Sequence, residues 1–257
     1  MNDLPVVVIH IMKYLIISDL HSNQEALSAV LASIKRKKFD RVLVLGDLVG
    51  YGASPNQVVD SIRRMKQAVV IRGNHDKVAC GIESGDNFNR AAMQSALWTR
   101  KKLTPENRAY LNHLPQGPLL VDDHILVSHG TPLDEDAYIF SDYDAYEVFQ
   151  VLDFQLCFFG HTHLPVIYAV SNQRLYTFRP NSERVKIELV EGFKYLINPG
   201  SVGQPRDKNP MASFAIYDSE NRNITFKRVE YSIPKTQDKI LKAGLPQSLA
   251  NRLSVGV

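Results

Sequence analysis

The 257-residue chain is predicted to be an α/β protein whose strands gather into two packed sheets within one domain. Three observations predict it. The front half alternates short apolar runs with amphipathic helical segments. The back half consists of short runs separated by turn residues. The ends of the runs carry aspartate, asparagine and histidine.

The elements follow in order. Tyr14–Ile17 is a strand ending at Asp19. Ser22 and Glu25 form a capping-box pattern, each side chain satisfying a free amide of a helix start. Leu27, Val30, Leu31 and Ile34 then recur at helical spacing. Val42–Leu45 is the second strand, stopped by Gly46-Asp47; a helix with Val58, Val59 and Ile62 inward follows Pro55; Ala68–Ile71 is the third strand. This β-α-β-α-β order argues for a parallel sheet with helices on its faces. Two helices are expected between Asn87 and His113, the second starting at Thr104-Pro105-Glu106. Strands follow at Ile125–Val127 and Leu156–Phe159, with a loop and helix between Asp134 and Asp153. The runs Val166–Val170, Arg174–Phe178, Val185–Val190, Lys194–Ile197, Ser213–Tyr217 and Ile224–Val229 read as antiparallel strands. Short helices are expected around Ile240-Leu241 and Leu249.

Composition narrows the function classes. A formal charge of +3 is too small to argue for nucleic acid or a membrane surface. The basic run Lys35–Lys38 follows an apolar helical pattern and suits a helix C-terminus, where carbonyl oxygens concentrate negative charge. Cys80 and Cys157 are far apart and outside any C-x-x-C spacing, which excludes a disulfide scaffold and favours a reducing cytoplasm. Val6–Ile11 is apolar but short and reads as a strand extension or upstream start, without the length of a membrane span.

Five segments end strand-like runs with residues that bind metals: Asp19-Leu20-His21, Gly46-Asp47, Gly73-Asn74-His75-Asp76, His129-Gly130 and Gly160-His161-Thr162-His163. In open α/β sheets ligands collect at the carboxyl ends of strands, so all five should meet on one rim. Residues two apart in an extended segment point the same way; Asp19 and His21 could grip one ion, and His161 and His163 could share one or straddle two. Carboxylate, imidazole and amide donors suit divalent manganese, iron, zinc, cobalt or nickel better than calcium or copper(I). Four histidines, two aspartates and an asparagine exceed the needs of one tetrahedral ion, whereas two ions sharing a carboxylate would use them all. The glycines at 46, 73, 130 and 160 suit close approach of backbone to the site. Taken singly, each aspartate or histidine would more often be structural; the ordered set of five carries the inference.

That ordered set resembles the calcineurin-like metallophosphoesterase superfamily, over the stretch from Tyr14 to about Arg206. The loop Asn198–Arg206 is similar to that of its small bacterial and archaeal phosphodiesterase branch. The resemblance implies a four-layer sandwich of two mixed β-sheets flanked by helices. It would span residues 12–232, with residues 233–257 as a helical tail packed on the same domain. It also implies that Asp19, His21 and His163 bind a first divalent ion, that Asn74, His129 and His161 bind a second, and that Asp47 bridges. His75 would then stabilise phosphoryl charge or protonate the leaving oxygen, and Asp76 would orient or charge-balance His75.

The expected activity is hydrolysis of a phosphodiester or phosphomonoester on a small, nucleotide-like substrate, by direct attack of a metal-activated hydroxide. Protein phosphatases and dinucleoside-tetraphosphate hydrolases of the superfamily carry Gly-Asp-x-x-x-Arg-Gly; Gly46-Asp47-Leu48-Val49-Gly50-Tyr51-Gly52 has no such arginine, which disfavours both and leaves them as the alternatives. A non-catalytic scaffold on the same fold and a nuclease are the other rivals; the retained ligands and His75 disfavour the first, and the absence of a basic groove disfavours the second. Arg206 and Tyr51 are candidates for substrate contact, against a surface salt bridge and a packed ring as the ordinary alternatives. Residues 86–150 are expected to shape a lid over the pocket.

Overall fold

The computed structural model describes residues 11–257, so the expectation for the leading apolar stretch lies almost wholly outside the described residues. The strands form two six-stranded mixed sheets. The first has β1 (Lys13–Ile17), β2 (Arg41–Val44) and β3 (Ala68–Val70) in parallel, continued antiparallel by β11 (Ala212–Asp218), β12 (Asn223–Val229) and β9 (Arg184–Glu188), in the order β3-β2-β1-β11-β12-β9. The second runs β4-β5-β6-β10-β7-β8. There β5 (Ile125–Val127), β6 (Leu156–Phe158) and β10 (Lys194–Asn198) are parallel, while β4 (Leu119–Val121), β7 (Val166–Ser171) and β8 (Arg174–Phe178) pair antiparallel.

Side-chain alternation along each strand assigns the layers. Tyr14, Ile16, Leu43 and Phe226 face Ile125, Leu156, Phe158 and Ile197 between the sheets. The intervening residues Leu15, Ile17, Val42 and Val44 face outward onto α1 (Gln24–Ile34) and α2 (Pro55–Arg63), through Leu27, Val30, Val58 and Ile62. On the far side, Cys157, Phe159 and Tyr168 pack under α6 (Asp142–Val151) through Ala145, Val148 and Phe149. The four-layer order, helix, sheet, sheet, helix, is the one expected. Removing some ten such apolar side chains from water supplies roughly 15–30 kcal/mol of gross driving force, before chain entropy is set against it.

The remaining helices are α3 (Asn74–Cys80), α4 (Arg90–Lys102), α5 (Pro105–Asn112), α7 (Ile233–Lys242) and α8 (Gln247–Asn251), with a 3₁₀ turn at Arg252–Ser254. The C-terminal segment docks on the body. Ile240, Leu249 and Leu253 pack with Tyr51 and Ala92, and Lys239 of α7 pairs with Glu25 at 2.7 Å. No helix among the described residues is long and apolar enough to cross a membrane.

Two local expectations fail, and two elements appear that the sequence did not announce. The helix cap is Asn23, whose side chain accepts the Ala26 amide, because His21 and Ser22 occupy left-handed backbone that delays the helix by one residue. Glu25 is thereby freed from a capping box for its pairing with Lys239. The segment after β3 turns at once into α3, and β4 completes a hairpin with β5 that the sequence did not announce. Residues 86–150 do not form a lid as a whole: most of them build α4, α5, β4, β5 and α6, and only residues 86–89, Ala92, Asp136 and Tyr138 border the pocket described below.

Candidate metal centre

The five predicted segments meet at the carboxyl ends of parallel strands from both sheets. β1 delivers Asp19 and His21, β2 Asp47, β3 Asn74 and His75, β5 His129, and β6 His161 and His163. Their side chains form two groups of converging donor atoms, Asp19, His21, Asp47 and His163 in one, and Asp47, His129 and His161 in the other. Asp47 belongs to both. Its Oδ2 lies 3.5 Å from His21 Nε2 and 3.5 Å from His129 Nε2, while its Oδ1 accepts the His75 amide at 2.9 Å. Asn74 Oδ1 joins the second group, 3.1 Å from His129 Nε2. His161 and His163 straddle the two.

Convergence arises by a different route from strand alternation. Asp19, His21, Asp47, His161 and His163 all have positive φ, between 45° and 66°. Left-handed backbone is costly for residues with a β-carbon. Here it is held by long-range bonds, His21 N to Asp47 O at 2.9 Å and Gly203 N to Asp19 O at 2.9 Å among them. Gly73 leaves no room for a side chain, since a β-carbon there would collide with Asp47 Oδ1.

Each donor imidazole is oriented by a backbone carbonyl. His21 Nδ1 meets Val49 O at 3.1 Å, His129 Nδ1 meets Leu45 O at 2.8 Å, His163 Nδ1 meets Gln204 O at 2.6 Å, and His161 Nε2 meets Asp136 O at 3.1 Å. A carbonyl only accepts, so the proton resides on those nitrogens and the other nitrogen turns a lone pair inward. His21 Nε2 and His163 Nε2 then face each other at 3.0 Å, both as acceptors. His129 Nε2 and Asn74 Oδ1 do the same. Acceptors converging without a proton fit a cation between them, and N/O donors of this kind suit divalent transition metals.

Electrostatics agree. Burial lowers the pKa of His21, His161 and His163, which keeps the imidazoles neutral and able to ligate. Burial also raises Asp19 to about 7, with the charge of Asp47 adding to it, and raises Asp47 through burial and the nearby Asp76. Bound cations would reverse those penalties.

His75 lies outside both donor groups. Its ring packs 4.3 Å from Tyr51 and 4.5 Å from Phe88, and its Nδ1 is buried with no hydrogen-bond partner. Asp76 does not hold that ring, contrary to expectation. Its carboxylate accepts the amides of Gly73, Leu48 and Val49, tying the start of α3 to the Asp47 loop. A cavity of about 350 Å³ opens over His75, Asn74 and His161, walled by Tyr51, Phe88 and Tyr138. Arg206 reaches Tyr51 Oη at 3.4 Å and Gln204 Oε1 at 3.3 Å and forms no salt bridge among the described residues.

Sequence reasoning missed several contributors. Tyr138 stacks on His161 with ring centroids 3.9 Å apart, and Phe88 covers His75. Arg252 lies over the Tyr51 ring from the far end of the chain. None stands in a metal-binding motif. The orienting carbonyls carry no residue-type signal at all.

A mixed two-sheet sandwich with histidine, aspartate and asparagine donors gathered at its parallel strand ends defines a candidate metal-binding α/β protein. Comparison with known proteins gives the family. The model of the calcineurin-like phosphoesterase superfamily domain matches residues 12–222, and the chain belongs to that superfamily. It is 42% identical over 248 residues to an uncharacterized protein of Methanocaldococcus jannaschii, covering 94% of this chain and 97% of that one. Among solved structures, a metallophosphoesterase from Sphaerobacter thermophilus is 38% identical, with a TM-score of 0.84 over 96% of this chain and 100% of its own. A hypothetical protein from Pyrococcus horikoshii shares the fold at 21% identity, with a TM-score of 0.78 over 95% of this chain and 98% of its own.

Proposed function

We propose that the protein hydrolyses phosphoester bonds of small substrates with the help of two divalent cations bridged by Asp47. One observation carries this reading: a single oxygen of Asp47 stands 3.5 Å from an imidazole of each donor group. Asp19, His21 and His163 would hold the first ion, and Asn74, His129 and His161 the second. A cation pair so held supplies charge neutralisation at the phosphoryl oxygens and draws the pKa of water toward neutrality.

The chain's own residues do the rest. Burial and the Arg206 charge keep the His75 imidazole neutral, which favours hydrogen-bond donation to phosphoryl charge over delivery of a proton. Tyr51 and Phe88 fix its plane. Tyr138 and the Asp136 carbonyl fix His161. Transfer to water needs no covalent enzyme intermediate, so a chiral phosphorothioate should be cleaved with inversion.

A cavity of about 350 Å³ suits a small substrate better than a phosphoprotein surface. Glu83, Asp86 and Asp136 border it and would repel a nucleic-acid backbone. Buried, unpaired Cys80 and Cys157 support a reducing compartment, for which we propose the cytoplasm.

The test combines metal counting with turnover. Metal-free protein reloaded with manganese, iron, zinc, cobalt or nickel should bind two ions per chain and hydrolyse bis-p-nitrophenyl phosphate or p-nitrophenyl phosphate. Asp47→Ala should lose both ions together. Two bound ions with no hydrolysis of either compound under any metal would favour the scaffold reading instead.

A further inference from the structure

The cavity over the candidate metal centre is bordered by charge of one sign. Glu83, Asp86 and Asp136 line it, and no lysine or arginine does. Asn74, His75 and His161 line the same space, so the carboxylates share it with the donor groups. His75 is only 4% exposed there, and its Nδ1 has no partner. The rings of Tyr51, Phe88 and Tyr138 complete the wall.

Lys77 answers only part of this charge. Its buried ammonium is shared by Glu83, Asp136 and Glu135. Glu135 has Arg72 as a second partner, which leaves Glu83 and Asp136 one cation between them. Each meets Lys77 through one oxygen, Oε1 of Glu83 and Oδ2 of Asp136, and both side chains are 44% exposed. Asp86 is exposed and has no hydrogen bond or ion pair among the described residues. The wall therefore keeps an excess of negative charge beside a space of about 350 Å³. The donor groups, once they hold cations, form the opposite pole. A phosphoester between the two poles has its phosphoryl end drawn to the donors. A positive charge on its alcohol part is drawn to the carboxylates, and a second negative charge there is repelled. Aromatic rings beside the carboxylates add attraction for a cation and displace screening water. Asp136 ties the poles together: its carbonyl meets His161 Nε2 at 3.1 Å while its carboxylate belongs to the acidic wall, so a short alcohol chain spans them.

We propose that the wall of Glu83, Asp86 and Asp136 selects substrates whose alcohol part is positively charged, the phosphoesters of small amino alcohols. The proposal rests on the hydrolase reading above. Asp86, unpaired and outside the metal-holding set, is the specificity-determining residue. An ester of a neutral polyol is the rival that the test separates.

Three esters of similar size test it on the manganese-loaded enzyme. Phosphoethanolamine, hydroxyethyl phosphate and phosphoglycolate end in an ammonium, a hydroxyl and a carboxylate. Each is assayed as a substrate, and as a competitive inhibitor of whichever p-nitrophenyl ester is hydrolysed. KM or Ki should be about fivefold lower for the ammonium ester than for the hydroxyl ester, the upper size of a half-exposed ion pair, and highest for the carboxylate. Asp86→Asn should remove about half of that preference in free-energy terms, leaving about twofold, and Asp86→Lys should reverse the order, with both variants melting like the wild type. Equal values for the ammonium and hydroxyl esters, a preference for the carboxylate, or an Asp86→Lys effect equal on all three would overturn the proposal. Should neither p-nitrophenyl ester be hydrolysed, the hydrolase reading fails separately. Calorimetric binding of the three esters then decides the wall: tighter binding of phosphoethanolamine, lost in Asp86→Lys, supports it, and equal or reversed affinities overturn it.

Discussion

Lys77→Met is a perturbation whose effect can be worked from the structure. Lys77 follows the Asn74-His75-Asp76 motif on α3 and buries its ammonium among three carboxylates: Asp136 at 2.6 Å, Glu83 at 2.8 Å and Glu135 at 3.1 Å. Burial opposes the charge, yet the carboxylates outweigh it and the pKa is raised. Methionine keeps the stem and deletes the charge. Glu83 and Asp136, each 44% exposed, regain water, whereas Glu135, 9% exposed, keeps Arg72 at 3.1 Å as its remaining partner. The cost should therefore fall at the low end for a broken buried pair, about 3 kcal/mol. For a chain of this size that is a drop of about 6–12 °C in Tm. The function should suffer at one ion more than the other. Asp136 O receives the His161 Nε2 proton and Tyr138, two residues on, stacks on the same ring. Loosening that loop should weaken the ion held by His161 by about 10–100-fold, the usual effect of losing a partner that orients a ligand. Calorimetric melting and stepwise manganese titration read both effects. A variant melting within about 2 °C of the wild type and binding two ions with unchanged affinities would refute the reasoning.

Other predictions follow from the same geometry. His75→Ala should retain both ions and lose about 10²–10³ in kcat, because the ring lies outside the donor groups and acts as a hydrogen-bond donor; a site emptied of metal would show that His75 is a ligand after all. Asp19 is protonated below about pH 7 in the metal-free protein, so a cation must displace that proton. Affinity for the first ion should fall by at least about tenfold per pH unit below 7, with Asp47, whose pKa burial and Asp76 also raise, steepening the slope; manganese titration between pH 5.5 and 8 measures it, and a flat profile would contradict it. The buried imidazoles, with lowered pKa values, should add no further slope near neutrality. Gly50→Ala should slow turnover with metal content intact. Gly50 has φ of +90°, and a β-carbon there would press on His75 Nδ1; unchanged kcat would show that the ring can move aside.

The sandwich was legible because its buried strands are continuous apolar runs bounded by turn residues, and every donor at the candidate site sits at the end of such a run. The order of the donors along the chain was legible for the same reason. The geometry that makes them converge was not. Positive φ at Asp19, His21, Asp47, His161 and His163 is imposed by bonds from loops far along the chain, and side-chain type does not encode it. The role of Asp76 was misread because its neighbour in sequence is His75, whereas its hydrogen bonds go to amides across the site. Ser22 and Glu25 satisfied a capping pattern that the left-handed turn displaced by one residue. Arg252 was invisible because more than forty residues separate it from Arg206, and only folding brings both to Tyr51.

The placement of β11 between β1 and β12 governs when the donors can come together. The edge of β1 that faces away from β2 stays unpaired until a strand far later in the chain is made, and the amides of Val202 and Gly203 must arrive to hold the carbonyls of Ser18 and Asp19. His163 likewise depends on the carbonyl of Gln204 for its tautomer. A chain carrying all seven donors but lacking that loop should chelate poorly, so metal capture would depend on both sheets having closed.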